Sequence, residues 1–283
     1  MDLVLTLLPS FGVASVVGLL LALALGTGQA GRLRSRAAAL AVGIAYLAGH
    51  ALVFRPEFPP AESKGTLFAV VAISTLFAAT GTAATATSAG YRSLRALLAA
   101  FAPLYILWNL VQRWDMGQVL RHLLPLQMAW WLIDGALEAR VSRRSARASL
   151  GSFLIAFASA GAVFERSGSA SYAQMAGIAA AAVGAVLASD FLRPLPSLQG
   201  GAVLAPWSVL AGMLVAGWHL FDIPKSSALL LALAPLAANF PDLDRVERTR
   251  PQLALVLRWL VALSLGAAAV ALAAAAAPTP YGS

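Results

Sequence analysis

Long apolar segments alternate with short polar joints along the whole of this 283-residue chain. A helix needs roughly 20 predominantly apolar residues to cross a bilayer. The Ala- and Leu-rich runs favour helix, and they lack the residue-by-residue alternation of a membrane barrel. We therefore predict an all-α, polytopic transmembrane helix bundle of about ten spans. The candidate spans are 3–26, 36–54, 66–89, 95–112, 119–138, 147–165, 171–192, 202–220, 225–240 and 252–277.

The joints between these spans are rich in glycine, proline and charge, as turns are. Examples are residues 31–36, 55–60 and 193–196. No polar stretch is long enough to form a separate soluble domain. We therefore divide the chain into two transmembrane halves of five helices each, residues 1–138 and 139–283.

The fifth span is weakly apolar because it contains Arg121, His122, Asp134 and Glu138. The distribution of basic residues favours keeping it. With ten spans, thirteen of the twenty Lys and Arg residues fall in the odd-numbered joints and six in the even-numbered ones. The positive-inside rule then places the odd joints in the cytoplasm and both termini outside a bacterial-type inner (plasma) membrane. Nine spans is the alternative.

Composition supports membrane insertion and excludes several other classes. Hydrophobic residues make up 60% and charged residues 11%, whereas soluble domains average about 45–50% and about 25%. The net charge of +8 comes from arginines in joints; no basic patch interleaved with aromatics is present, so we predict no nucleic-acid partner. The absence of cysteine excludes disulfides, Cys-ligated zinc and iron–sulfur clusters. We expect no cofactor, and the lipid bilayer as the main partner.

Small residues are dense in two spans, at Gly81–Gly90 and Gly177–Ala188. Such stretches let helices approach closely in lipid. They predict a tight bundle, with a homo-oligomer or a larger membrane complex as a further expectation.

Two segments suggest an internal repeat. Residues 96–104 and 228–236 match at seven of nine positions, and each contains a proline, Pro103 and Pro235. Because each half has an odd number of spans, a repeat would place the halves in opposite orientations, as in many secondary transporters. Chance similarity between Ala/Leu-rich helices is the alternative to this five-plus-five inverted repeat.

The main candidate site is the fifth span, where Asp134 and Glu138 lie four residues apart and so share one side of a helix. Ionisable groups at membrane depth usually face a protein interior or a wet cavity. We predict that Asp134, Trp130 and Asn239 line a midplane cavity as an ion or substrate site. In the alternative, Asp134 pairs with an arginine near the cytoplasmic interface.

Three histidines lie near predicted outer ends of spans: His50, His122 and His219. His219 precedes Asp222 by three residues, and we predict that this pair contributes to ion or substrate binding. The alternative for each histidine is an interfacial, hydrogen-bonded side chain. No HExxH motif or His pair at ligand spacing occurs, so no metal site is predicted.

A serine-rich stretch, residues 167–174, opens the seventh span. The free N–H groups of a first helical turn attract anions. Arg166, Ser169 and Ser171 are therefore predicted to bind an anion at this helix N-terminus, with plain helix capping as the alternative.

Enzyme signatures are incomplete. Residues 134–140 resemble the opening of the CDP-alcohol phosphotransferase signature, but the spacing is one residue too long and the later aspartates are missing. Residues 239–244 resemble a prenyltransferase aspartate motif, but they are too short and lack a second copy. No GxSxG or P-loop sequence occurs, and we predict no enzymatic activity.

The stretches 167–177 and 226–236 are similar to segments of bacterial inner-membrane proteins that carry no assigned activity. The five-plus-five plan resembles that of the drug/metabolite transporter superfamily. These resemblances imply a multi-pass helical fold and no catalytic residues. The predicted function is a transporter-like permease for a small solute. The alternative is a non-catalytic membrane subunit or scaffold of a larger complex.

Overall fold

The computed structural model describes residues 2–25, 31–60, 62–80, 88–141, 145–194, 202–239 and 243–276. Within these ranges all regular secondary structure is α-helical. Twelve helices follow one another: α1 (Asp2–Leu25), α2 (Gly31–Phe54), α3 (Ser63–Thr80), α4 (Ala89–Ile106), α5 (Trp108–Val111), α6 (Met116–Val141), α7 (Ala146–Arg166), α8 (Ala170–Leu192), α9 (Leu204–Leu220), α10 (Lys225–Ala238), α11 (Asp244–Thr249) and α12 (Pro251–Ala276).

The ten longer helices fall on the ten predicted spans, with two corrections at their ends. The predicted third span reaches residue 89, but Ala89 begins α4, and the Ser88 side chain accepts a hydrogen bond from the Tyr91 N–H as its N-cap. The predicted fourth span runs unbroken to residue 112, but α4 ends at Ile106 and the short α5 follows. Of the two stretches of small residues predicted from the sequence, most of the first, residues 81–87, lies outside the described residues.

Five of the described helices are long and apolar enough to cross a membrane. They are Ala37–Phe54, Ser63–Thr80, Ala146–Arg166, Ala170–Leu192 and Pro251–Ala276. Shorter apolar helices are Pro9–Ala24, Leu204–Leu220 and Lys225–Ala237. This density of apolar helix indicates a membrane-embedded protein. Helices α4 and α6 fall below the same standard because each contains charged residues within its length.

The most extensive helix contact joins α7 to α8, and α1 and α2 pack against α8. Alanines dominate the contact, because small side chains let helix backbones approach closely. Helix α9 lies at the centre, and each of its residues from 204 to 217 is buried. A buried hydrogen bond of 2.8 Å from the Ser74 hydroxyl to the Ser208 hydroxyl joins α3 to α9.

Polar side chains collect at the two ends of the bundle. Arg95, Arg147 and Arg258 form ion pairs at one end, which we name the arginine end. His122 and His219 meet at the opposite end, the histidine end. The starts of α3 and α8 also lie at the histidine end, where the Tyr172 hydroxyl donates to the Ser63 hydroxyl at 2.9 Å.

Candidate functional site

Helix α6 carries a stripe of side chains at every fourth position: His122, Leu126, Trp130, Asp134 and Glu138. At a rise of 1.5 Å per residue the stripe is about 24 Å long, and it winds by roughly 160° around the helix. It therefore starts against α9 at the histidine end and finishes against α4 at the arginine end. Three cavities open along it.

The arginine-end part of the stripe is an ion cluster. The Arg95 side chain donates from Nε to Asp134 Oδ2 at 3.0 Å, and its Nη2 lies 2.7 Å from the same oxygen. Nη2 also donates to the Asp134 backbone carbonyl at 3.3 Å, and Nη1 lies 3.2 Å from Glu138 Oε2. The Asp134 side chain is only 4% exposed. Its Oδ1 has no hydrogen-bond partner within the described ranges.

A cavity of about 780 Å³ adjoins this cluster, between the start of α4 and the end of α6. We name it the arginine-end cavity. Arg95, Asp134 and Glu138 line its floor, and the largely exposed Trp131 and Leu132 stand at its rim. Its mixed polar and apolar lining allows water to reach the ion cluster.

A second cavity, of about 90 Å³, lies between α6, α9 and α10. We name it the apolar cavity, because its lining is aliphatic and aromatic. The rings of Trp130 and Trp207 meet edge to face there, with centroids 6.1 Å apart. Trp207 Nε1 is buried and has no hydrogen-bond partner among the described residues. Trp130 therefore separates the apolar cavity from Asp134, which lies one helical turn away.

A third cavity, of about 440 Å³, opens at the histidine end. The His122 and His219 rings lie 5.6 Å apart in an edge-to-face arrangement, and Trp114 contacts both. His219 stacks on Trp218 at 5.5 Å. We name this the histidine-end cavity.

His219 and Asp222, which were predicted to act as a pair, both line the histidine-end cavity. The described contacts do not include one between them. Lys225, which also lines this cavity, places its ammonium 5.6 Å from the Trp218 ring centroid. Asp222 adopts a φ of +50°, in the left-handed region, at the turn between α9 and α10. The sequence gives no sign that His122 joins this group, because the two helices are almost a hundred residues apart.

His50 lies away from the stripe. Its Nδ1 is 3.1 Å from the Tyr46 hydroxyl, and its ring packs against Phe54 and Phe68. It lines a smaller cavity of about 160 Å³ together with Lys64 and the loop that follows α2. This matches the hydrogen-bonded alternative for His50 rather than a place in the stripe.

Asn239 lies outside the lining of the arginine-end and apolar cavities. Its Nδ2 donates to the Pro235 carbonyl at 2.7 Å, and its Oδ1 accepts from the Ser149 hydroxyl at 3.4 Å. The amide therefore occupies the carbonyl next to the proline kink and ties the end of α10 to α7. The structure brings Trp130 and Asp134 to neighbouring cavities, but it does not bring Asn239 to them.

The serine-rich stretch, residues 167–174, spans the C-cap of α7 and the first turn of α8, which begins at Ala170. The Ser169 N–H donates to the Phe164 carbonyl at 2.9 Å, and the Gly168 N–H donates to the Glu165 carbonyl at 3.1 Å. With Gly168 at a φ of +76°, this is a Schellman C-cap. The Ser169 side chain makes no capping hydrogen bond to α8, Ser171 is half-buried, and Arg166 is exposed. The N–H groups of Gly168 and Ser169 are thus used by α7, whereas the predicted anion site concerns the first-turn N–H groups of α8, so that site stays a prediction.

Sequence reasoning missed a second Arg–Asp pair. Arg147 Nε donates to Asp190 Oδ2 at 2.6 Å, and Nη2 donates to the Asp190 backbone carbonyl at 2.9 Å. Nearby, Arg258 Nη2 lies 2.9 Å from Glu247 Oε2. The signal available in the sequence is an arginine at the start of one span and an aspartate at the end of the next.

The described residues contain no group of three His, Asp or Glu side chains that could hold a metal ion. The candidate site is a stripe of aromatic, histidine and carboxylate side chains on α6, and three separate cavities lie along it. No protein-family model, curated protein or solved structure matches this chain.

Proposed function

We propose that the protein is a transporter-like permease for a small solute, with its pathway along the α6 stripe. In this proposal α4 and α6 also cross the bilayer, which brings the number of spans to ten. The arginine end lies in the cytoplasm and both termini lie outside, in accordance with the positive-inside rule.

One observation carries the proposal: a single helix lines a cavity at each end of the bundle and a third cavity between them. The other faces of α6 support its place in lipid, because Leu124, Met128 and Leu132 are about half exposed. Soluble proteins rarely expose an apolar surface of this extent to water, so these side chains are better placed against lipid. The polar stripe, by contrast, faces protein and cavities.

The Trp130–Trp207 contact closes this pathway midway, so the structure corresponds to an occluded state of the proposed permease. Arg95 pairs with both Asp134 and Glu138 beside the closure, so one cation balances one of the two carboxylate charges and weakens the attraction of the cluster for a simple cation. The Arg95–Asp134 pair then acts as a gate whose opening joins the arginine-end cavity to the apolar cavity. Movement of a solute requires the two tryptophans and this ion pair to separate together.

The five-plus-five inverted repeat is part of the proposal and is supported by two helix contacts. A two-fold relation between halves pairs α2 with α8 and α3 with α9, and both pairs pack together. The extensive contact of α1 with α8 has no comparable counterpart between α2 and α7. We therefore propose a repeat whose halves have diverged in packing, as in the drug/metabolite transporter superfamily that the architecture resembles.

A non-catalytic membrane subunit or scaffold is the second candidate, and one observation favours it. Asp134 is engaged by Arg95 through three contacts, so its charge needs no ligand. In a scaffold the apolar cavity would be a packing defect closed in every state of the protein.

Thiol labelling separates the two candidates, because the chain has no cysteine and any introduced thiol is the sole one. Ala96→Cys, Ala211→Cys and Lys225→Cys place one thiol in the arginine-end, apolar and histidine-end cavities. Ala156→Cys, buried in α7, is the matched control. The probe is a charged, membrane-impermeant methanethiosulfonate added to proteoliposomes.

The permease proposal predicts labelling of the two end positions from opposite sides of the membrane. Ala211→Cys should label about 10- to 1,000-fold more slowly than Ala96→Cys, because an open state is populated at roughly 0.1–10%. It should still label faster than the α7 control. Equal, negligible labelling at Ala211→Cys and Ala156→Cys would support the scaffold.

A further inference from the structure

We propose that the cleft between α6 and α10 binds a membrane amphiphile, with an acyl chain in the apolar cavity and a zwitterionic phosphate headgroup in the histidine-end cavity. This inference rests on the proposed pathway along α6 and names the class of solute that it takes. The occupant is a phospholipid-like molecule rather than a water-soluble metabolite.

The apolar cavity opens sideways, towards the surrounding bilayer. Ala129 on α6 and Leu229 on α10 line it and are both exposed on the outer surface of the bundle, Leu229 by 56%. Packing between α6 and α10 is sparse compared with that between α7 and α8. A methylene chain can enter from the bilayer through this gap without crossing polar surface. The chain would gain contacts with Trp130, Leu214 and Trp218.

The histidine-end cavity lies directly beside the apolar one, because Trp218 lines both. A polar cavity that adjoins an apolar cleft at one end of a membrane protein has the shape of an amphiphile. Indole rings favour this level of the bilayer, where one edge meets headgroups and the other meets chains.

The charges in the histidine-end cavity complement a zwitterionic headgroup. Lys225, with His122 and His219 as further donors, suits a phosphate. Asp222 provides a single carboxylate in the same cavity for an ammonium group. A headgroup with one charge of each sign matches this pair better than an anion or a cation alone. Trp218 already holds the Lys225 ammonium over its ring face, so a lipid ammonium would meet Asp222 instead.

Photo-crosslinking on the full-length, unaltered protein tests the proposal. The probe is phosphatidylethanolamine with a diazirine at mid-chain, mixed into proteoliposomes of phosphatidylglycerol, which has no ammonium group, and labelled peptides are mapped by mass spectrometry. We expect label on the peptides that contain Ala129 and Leu229 in clear excess over the exposed face of α7 around Ala158. Equal labelling of the two surfaces indicates ordinary boundary lipid and would overturn the proposal.

Two variants that fill the apolar cavity test the same site. Ala232→Phe adds a ring from α10, and Ala211→Phe adds one from α9. Each should reduce cleft labelling about tenfold, the equivalent of losing roughly two buried methylene groups. Ala158→Phe, on the exposed face of α7, is the matched control and should leave the labelling unchanged. Unchanged cleft labelling in both filling variants would contradict the proposed site.

Competition identifies the part of the molecule that is recognised. Soluble glycerophosphoethanolamine and inorganic phosphate should fail to displace the probe, whereas unlabelled phosphatidylethanolamine should displace it. Displacement by phosphate alone would show an anion site and would overturn the lipid assignment.

The outcome is separable from that of the permease proposal. Labelled lipid with an unreactive Ala211→Cys means a bound structural lipid, and a reactive Ala211→Cys without labelled lipid means a different solute.

Discussion

Two helix pairs in this protein use the same ion pair in different surroundings. In α4–α6, Arg95 binds the carboxylate and the backbone carbonyl of Asp134; in α7–α8, Arg147 binds the same two groups of Asp190. Asp190 lies two residues before the end of its helix, whereas Asp134 lies two turns before the end of α6. The first pair borders a cavity of about 780 Å³ and the second a smaller one of about 460 Å³, while α7 and α8 make the most extensive helix contact among the described residues.

The difference shows that packing, rather than the charges themselves, distinguishes the two regions. Helices α7 and α8 each have twelve buried residues, of which four are alanines. Helix α6 has six, spaced three or four apart along one side. The sparsely packed α4–α6 region therefore has room to move, as the proposed gate requires, and the α7–α8 region has the rigidity of a frame.

The largest expected effect comes from removing the two arginines in turn. Arg95→Met leaves two facing carboxylates, Asp134 and Glu138, without their shared cation and should cost about 3 kcal/mol of unfolding free energy. Arg147→Met should cost about 1–2 kcal/mol, because the Arg147 side chain is 32% exposed, against 10% for Arg95, and water already screens its pair. Reversible unfolding in mixed micelles measures both.

A double variant serves as the control for this comparison. Arg95→Met combined with Asp134→Leu should recover most of the loss, because the uncompensated carboxylate is then gone. Equal costs for the two arginine variants would show that the two regions do not differ in this respect.

Replacing a glycine by alanine should change the free energy of unfolding in opposite directions in the two regions. A Cβ at Gly151 on α7 would collide with the Trp259 indole of α12, so Gly151→Ala should cost about 1–3 kcal/mol through overpacking. A Cβ at Gly135 on α6 meets nothing within 4 Å. Gly135→Ala should therefore stabilise the protein by about 0.5–1 kcal/mol through helix propensity. Thermal unfolding of the two variants, side by side, decides the sign of each effect.

The smallest expected effect concerns a buried hydrogen bond between α3 and α9, outside the two regions compared above. The Ser74–Ser208 bond is buried between α3 and α9, yet coupling energies of such bonds in membrane proteins average about 0.6 kcal/mol. A double-mutant cycle of Ser74→Ala and Ser208→Ala should return a value of that size. A coupling several times larger would mean that a single buried hydrogen bond in this bundle contributes as much as the packing differences described above.

Much of the helical fold was predictable from apolar segment length alone, because ten long runs and ten long helices coincide. The weakly apolar α6 needed a second signal, the distribution of basic residues. The sequence could not show how α6 accommodates its carboxylates. In the structure Arg95 reaches across from α4 and forms ion pairs with Asp134 and Glu138. The break at Leu107 was missed because α4 and α5 are both apolar and Pro103 precedes the break by a full turn.

The candidate site was predictable only in part. The spacing of Asp134 and Glu138 predicted that the two carboxylates share one side of a helix, and both line the arginine-end cavity. The association of His122 with His219 and of Arg147 with Asp190 depends on contacts between distant helices, for which a single sequence gives no distance information. Asn239 was grouped with Asp134 on polarity alone, but its amide donates to the Pro235 carbonyl, one turn back along the same helix.

Hydrogen–deuterium exchange of the unaltered protein in lipid nanodiscs tests the central claim most directly, namely that α6 borders a pathway which water can enter. Amides of residues 130–138 should exchange at least about tenfold faster than those of residues 152–160 in α7, because exchange at membrane depth requires water and local opening. Equal protection of the two segments would contradict the account and leave α6 as a packed structural helix.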